Sequence, residues 1–460
     1  MNSLKYIFIL LFGLIVIPSC YEDSLEELNI DPTQLSDVEM RLILPEVLTQ
    51  AAYNKGATPG RAAGIIMQQF EGFDAQQVQY TTYVFGTDAF NNYWRFGMYA
   101  GVLRSCSVLL DKATEEGATF YSGVAKTIMA SEYGLLTSFF GYIPFSEALK
   151  GTENLKPAYD TQEAVYNGVL AMLDDAINDL SSGSGYVGGD LIYDGDAAAW
   201  RATAYALKAR YQMHLQKKNG SAANDVLATL SNTFGSLADQ PTFTFGTAQT
   251  DNYSLAKFGI ERPSTLIIGQ FFADLMTDDP RQSAYMFTDG TTWFYHDAAN
   301  ADLVWGKDNA AIPLISYVEV KMLEAEALAR TGGDASAALG DAIEASMIQA
   351  GIEEGFDDYV AANSDLSGLS QEEQVAKIME EAYKAYYGYA FHETWSNFRR
   401  TGYPAITPNP DGSNGFNPSG AVPRRFIYPA SEQQTNLANL EAAQAAQSGA
   451  LLDVSVWAFE

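Results

Sequence analysis

Apolar residues recur at every third or fourth position through most of this chain, in blocks long enough to be helices. The first clear block opens at Asp160-Thr161-Gln162-Glu163, a capping-box pattern in which cap and carboxylate satisfy each other's backbone amides. Val165, Val169, Leu173, Ile177 and Leu180 then share one face, and Ser181-Ser182-Gly183-Ser184-Gly185 stops it. A second helix carries Trp200, Ala204, Leu207 and Tyr211, and a third runs from about Tyr317 to Arg330. Gly332-Gly333 turns the chain into a fourth near Ala335 to Ala350. A further helix is expected from Gln371 to about Phe398, with Ile378, Ala382, Ala385, Tyr386, Tyr389 and Trp395 along it. The scaffold is therefore mainly α-helical.

The two helices flanking Gly332-Gly333 look like a tetratricopeptide hairpin, with Ala325, Ala329 and Ala342 where the helices would approach closely. These stripes read as core packing and not as a site. Between the helices lie segments of different composition: 71–92, 240–250, 289–306 and 404–423 are aromatic or rich in Gly, Asn and Pro. Loops this long inside a compact domain are uncommon unless they carry function or are disordered, and these hold too many aromatics for disorder.

The formal net charge is −30, which argues against nucleic acid or anionic head groups, because phosphate binding needs clustered Lys and Arg. A neutral ligand stacked on aromatic rings suits the composition better. With 47% hydrophobic residues and no linker between blocks, residues 28–460 read as a single domain. Lys5 and the unbroken apolar run Ile7 to Ile17, ending at Pro18-Ser19-Cys20, have the layout of a secretory signal. As a helix that run spans about 16 Å, roughly half of a bilayer's hydrocarbon core, so residues 1–19 are expected to be removed, not to span. Cys106 is then the one remaining thiol, in a helical pattern beside Leu103 and Leu109, and it reads as a small core residue.

Nothing in the sequence favours catalysis. His214, His296 and His392 are widely spaced and form no zinc motif. There is no Gly-x-Ser-x-Gly elbow or phosphate loop. Asn409 to Gly415 offers oxygen ligands without the spacing of a calcium loop, and reads as turns. The chain is expected to bind without changing its ligand and to need neither metal nor cofactor.

Several phrases together resemble the SusD-like (SusD/RagB) outer-membrane nutrient-binding lipoproteins, in the branch called SusD-like 2. Near the start these are Leu28-Asn29-Ile30-Asp31-Pro32 and Leu44-Pro45. Gly141-Tyr142-Ile143-Pro144-Phe145-Ser146-Glu147-Ala148 and Pro157-Ala158-Tyr159-Asp160-Thr161-Gln162-Glu163 follow. Later come Asp190, Tyr193, Gly195, Asp196, Trp200 and Leu207-Lys208-Ala209-Arg210. The last are Arg399-Arg400-Thr401-Gly402-Tyr403-Pro404 and Pro423-Arg424-Arg425-Phe426-Ile427-Tyr428-Pro429, with Glu432 and Asn436. The resemblance implies tetratricopeptide-like helical pairs packed against a loop-rich ligand-binding region. It also implies a partner, a SusC-like TonB-dependent outer-membrane transporter, and an oligosaccharide ligand, with a peptide as the alternative. A different class of function, an adaptor that binds only other proteins through its helical pairs, is the competing reading.

Ile17-Pro18-Ser19-Cys20 is similar to a bacterial lipobox, which makes Cys20 the lipid-bearing residue and 20–27 a flexible stem. Tyr21-Glu22-Asp23 resembles the acidic signal of lipoproteins flipped to the cell exterior, so an outer-membrane anchor facing outward is expected. Of the family motifs, Asp190, Asp196 and Trp200 suit helix entry. Arg399, Arg400, Arg424 and Arg425 suit pairing with carboxylates that staple the C-terminal segment to the helices.

Sugar rings stack their C–H faces on aromatic planes while their hydroxyls need amide, carboxylate or guanidinium partners. Two loops combine both. The first supplies Phe73, Gln77, Tyr80, Tyr83, Asn91 and Asn92; the second supplies Trp293, Tyr295, Asp297 and Trp305. Trp293 and Tyr295 are the leading stacking candidates, and Trp94 is expected to be a core aromatic.

Overall fold

The computed structural model describes residues 38–296 and 303–460. The expected signal, Cys20, the stem and Asp297 lie outside them. Met40–Glu460 form one compact unit. Its principal helices before residue 240 are α1 (Met40–Lys55), α2 (Thr58–Ile66), α3 (Leu103–Glu116), α4 (Thr119–Phe140), α5 (Gln162–Ser182), α6 (Ala197–His214) and α7 (Ala222–Leu230). Those after it are α8 (Tyr317–Thr331), α9 (Ser336–Gln349), α10 (Gln371–Ala385) and α11 (Phe391–Thr401). Each helix from α3 to α6 packs on the next, α6 packs on α7, and α7 and α9 both pack on α8. α8 also packs on α10, α10 on α11, and α11 on α2, so the helical pairs expected from sequence form one continuous array. Ala325, Ala329 and Ala342 are buried where α8 meets α9.

Local chemistry explains where these helices begin and end. Thr161 caps α5 by accepting from the Ala164 amide at 3.2 Å, and Gly183 closes it in the left-handed region. The expected box between Asp160 and Glu163 does not form. Asp160 is one residue too early and turns its carboxylate to the Phe145 and Ser146 amides, at 3.0 and 2.8 Å. The reciprocal box occurs instead at the start of α10, between Ser370 and Glu373. Asp196 caps α6 through the Ala198 and Ala199 amides. Just before it, Asp190 accepts from three backbone amides of the 190–195 turn and from Trp200 Nε1 at 2.8 Å.

The single helix expected from 371 to about 398 is two. The chain turns between Ala385 and Phe391, with Gly388 at φ +89° and Trp305 packed against it. Tyr386, Tyr387 and Tyr389 there are all buried, so the apolar pattern continues across the break although the helix does not.

The rest of the unit is loop-rich. Three short antiparallel ladders pin it: β1 (Phe70–Gly72) with β3 (Leu266–Ile268), β2 (Thr242–Thr244) with β6 (Ala311–Pro313), and β4 (Phe287–Thr288) with β5 (Trp293–Phe294). Aromatic packing joins this layer to the helices. The Phe90 and Phe426 rings stack with centroids 4.1 Å apart, and Trp395 lies 4.7 Å from Phe426. Arg400 forks onto Glu326, as the stapling expectation required. Arg399 and Arg425 do not use carboxylates: they donate to the carbonyl oxygens of Ser138 and Phe140, near the C-terminal end of α4. Cys106 is buried, and burial raises its thiol well above the ordinary range, which suits a packing role. Among the described residues no helix is long and apolar enough to cross a membrane, and no cluster of His, Cys, Asp and Glu could hold a metal.

Candidate functional site

The segment after β1 is held in place by its own backbone. The Phe73 and Asp74 amides both donate to the Thr265 carbonyl, and Asp74 caps the short 3-10 turn Ala75–Gln77. A Cβ on Gly72 would lie 2.0 Å from the Gln77 carbonyl oxygen, so only glycine lets the turn fold this tightly against the strand. The result is a cleft of about 430 Å³ between this turn, residues 88–93, the N-terminus of α2 and the 258–265 segment. Gln77, Asn91 and Asn92 line it, together with Asp88, Arg61 and Arg262.

Gln77 is 5% exposed, and its side-chain carbonyl oxygen has no hydrogen-bond partner among the described residues. A buried acceptor left unpaired costs about 1–3 kcal/mol, and the side chain that carries it borders the cleft. The Asn91 carbonyl oxygen accepts from the Ser431 amide at 2.9 Å, which fixes the side chain and leaves its NH2 group to donate. Asn92 is exposed. Arg61 lies over the Phe258 ring at 4.2 Å and donates to the Gly56 carbonyl; burial pulls its guanidinium below the ordinary arginine value. Amides, a carboxylate and guanidinium groups thus face one another across a small volume, an arrangement suited to a ligand rich in hydroxyls.

The other residues expected at the site are placed differently. Phe73 is 59% exposed beside the cleft's turn. Tyr80 is buried against Phe85, and Tyr83 is buried with its hydroxyl accepting from the Asn409 amide. Tyr295 is buried edge-on to Phe70 at 5.2 Å, and Trp305 is packed on Tyr389 at 4.8 Å. Tyr80, Tyr83 and Trp305 are taken up by packing, whereas the buried Tyr295 also lines the cleft beside Phe294. Trp293 is half-buried on β5, opposite Thr288. Next to it, Phe294 stacks on Phe287 at 5.3 Å and helps line a second cleft of about 480 Å³ with Ile260, Pro263 and His296. The Nδ1–H of His296 donates to the Gly306 carbonyl at 2.6 Å, which fixes the ring. Trp94 is buried, as expected of a core aromatic. Arg61, Arg262 and Phe258 were not singled out in the sequence. Their single signal there was two arginines in an acidic chain, without the aromatic density that marked the two loops.

Compared with known proteins, residues 32–429 match the SusD-like 2 family, described as starch-binding and associating with the outer membrane. The chain belongs to the SusD-like family. Its solved relatives are fold-level matches over nearly the whole length. A SusD/RagB family protein from Bacteroides thetaiotaomicron is 25% identical, with a TM-score of 0.74 over 92% of this chain and 99% of that one. A SusD homologue from Bacteroides uniformis is 19% identical, with a TM-score of 0.77 over 92% and 100%. A chitin-binding protein is 22% identical, with a TM-score of 0.74 over 91% and 99%. No curated protein matches the sequence. The mainly α-helical SusD-like architecture, with helical pairs carrying a loop-rich face, is therefore the fold of this chain, and its family is one of nutrient-binding proteins associated with the outer membrane.

Proposed function

We propose that this SusD-like chain captures an oligosaccharide in the cleft lined by Gln77, Asn91 and Asn92 and passes it, unchanged, to a SusC-like TonB-dependent transporter. The observation that carries the reading is the cleft itself, where the Gln77, Asn91 and Asn92 amides, the Asp88 carboxylate and the Arg262 guanidinium line one small volume. Sugar hydroxyls both donate and accept, so one ring can satisfy the glutamine acceptor and an asparagine donor together. Phe73, exposed beside the cleft's turn, offers an aromatic face next to this cleft. The chitin-binding relative lends support to a glycan over a peptide. Cys20 is the proposed lipid anchor, with 20–27 as a stem that lets the body move over the transporter from the outer leaflet.

Calorimetric titration of the purified protein with chitin and starch oligosaccharides tests the binding step. Binding without product formation is expected, and Gln77→Leu and Asn92→Ala should each weaken it about tenfold, the loss of one or two ligand hydrogen bonds. Binding of neither glycan class, alongside tight binding of oligopeptides, would replace the carbohydrate reading with the peptide one. For the anchor, Cys20→Ala should release the protein from the outer-membrane fraction, and protease added to intact cells should digest the wild type.

A further inference from the structure

A third cleft, of about 600 Å³, shares no lining residue with the one above. One wall is the π-helical stretch Tyr93–Val102, which kinks at Gly101 (φ −101°, ψ −117°) before α3 begins. Arg95, Tyr99 and Ala100 come from this stretch and Arg104 from the first turn of α3, and all four line the cleft. The opposite side comes from the 431–436 segment, and Pro144, Leu149 and Pro157 add apolar surface. Leu155, 73% exposed, stands at the lip.

Charge is the unusual part. The chain has 57 acidic residues against 27 basic ones; of its buried arginines Arg210, Arg281 and Arg400 each hold a carboxylate, while Arg61, Arg399 and Arg425 donate to backbone carbonyls. Arg95 and Arg104 are exposed, and neither has a carboxylate partner among the described residues; Arg95 rests over the neighbouring Phe96 ring at 4.9 Å. The cleft's own acid, Glu432, is engaged in its wall, accepting from Trp94 Nε1 at 3.1 Å and from the Tyr159 hydroxyl at 2.6 Å. Two guanidinium groups against one hydrogen-bonded carboxylate leave this apolar cleft locally positive on a strongly negative protein. A volume of this size, mostly apolar with a few polar groups fixed at its edge, has the character of a small-molecule site.

We propose that this cleft binds an organic anion, a carboxylate on an aromatic or aliphatic body. The carboxylate meets the guanidinium of Arg95 or Arg104, and the apolar part lies on Tyr99, Pro144 and Leu149. It is independent of the oligosaccharide cleft.

The probe pair is 1-naphthaleneacetate and 1-naphthaleneacetamide, which differ in charge and hardly in shape, titrated into the full chain with fluorescence detection. The acid should bind at least about tenfold more tightly than the amide, the contribution of a charge-assisted contact. Arg95→Gln and Arg104→Gln, both at exposed positions, should lower the acid's affinity, with at least one of them bringing it to the level of the amide. Asn92→Ala should leave it unchanged, which separates this site from the glycan cleft. Equal affinity for acid and amide, no binding of the acid, or acid binding indifferent to both arginine variants would overturn the proposal.

Discussion

Arg210 holds Glu319 by a two-point fork, with Nε to Oε1 at 2.5 Å and Nη2 to Oε2 at 2.7 Å, and both side chains are buried between α6 and α8. Glu393 of α11 stands 3.6 Å from the same guanidinium and 2.8 Å from His214 Nε2, so three helices share one buried charge cluster. Such a cluster orients the helices more than it stabilises them, because desolvation offsets most of the attraction. Removing one partner is a different matter. Glu319→Gln leaves Arg210 and Lys55 charged with less compensation, and is expected to lower unfolding free energy by about 3–5 kcal/mol in urea titrations. A loss under about 1 kcal/mol would mean that Glu393 alone can hold the arginine.

Glu132 and Lys55 lie at the edge of that cluster. Burial pushes the Glu132 carboxyl up to about 7, although Lys55 and an Asn54 hydrogen bond pull it down. Burial lowers Lys55 to about 8. For Glu132 the folded value lies above the unfolded one, near 4.5, so its contribution to stability is complete below about 4.5 and is lost as pH rises through 7. Glu132→Gln lacks this titration. The difference in stability between Glu132→Gln and wild type should therefore move in favour of the variant between pH 4.5 and 7, by about 3 kcal/mol. Lys55 has the opposite sense: its folded value is depressed, so the stability gained by neutralising it is present above about 10.5 and is lost as pH falls through 8. Urea midpoints of both proteins across pH 4 to 9 check the first window, and parallel curves there would contradict the placement of Glu132.

The helical array was readable because its signals are local. Val165 to Leu180 on one face, Asp196 as a cap and Gly332 as a stop are decided within a turn or two of chain. Failures came where a distant residue intervened. Asp160 left its expected box because Phe145 and Ser146 offered amides across a loop, and the 371–398 pattern breaks around Gly388, against which Trp305 packs. The candidate site was half legible for the same reason. Gln77, Asn91 and Asn92 could be named from the polar character of their loop, but no local pattern tells that Tyr80, Tyr83 and Trp305 are consumed by core packing or that Tyr295 borders a different cleft. The third cleft was not legible at all, since α-helical spacing does not put Arg95 and Arg104 on one face, and the π-helical stretch and its kink at Gly101 that bring both to the cleft leave no local signature.

Asp190 offers a test of the family's turn before α6. Its Oδ1 accepts from the Ile192 and Tyr193 amides and its Oδ2 from the Gly195 amide and Trp200 Nε1, so every contact is an acceptor contact. Asp190→Asn keeps the shape but replaces one acceptor oxygen with an NH2 facing two donors. A loss of about 2–4 kcal/mol is expected, because two donors are left unpaired at a partly buried site. Asp196→Ala, which removes only the helix cap six residues after Asp190 and leaves the Trp200 contact in place, should cost about 1 kcal/mol. Equal effects would show that the Trp200 contact adds nothing.

Gly388 and Gly368 together separate backbone strain from packing. Both have positive φ, +89° and +75°, so an alanine at either position is strained by about 1–2 kcal/mol. At Gly368 a new Cβ would meet nothing within 4 Å. At Gly388 it would fall 2.1 Å from Trp305 Cγ, and Trp305 cannot easily withdraw because it is buried against Tyr389. Gly368→Ala should therefore cost only the backbone term, whereas Gly388→Ala should cost at least about 2 kcal/mol more, in the range of overpacking. Thermal melts of the two variants give the comparison directly. If they lose the same amount, Trp305 is free to move, and the break between α10 and α11 is set by glycine alone.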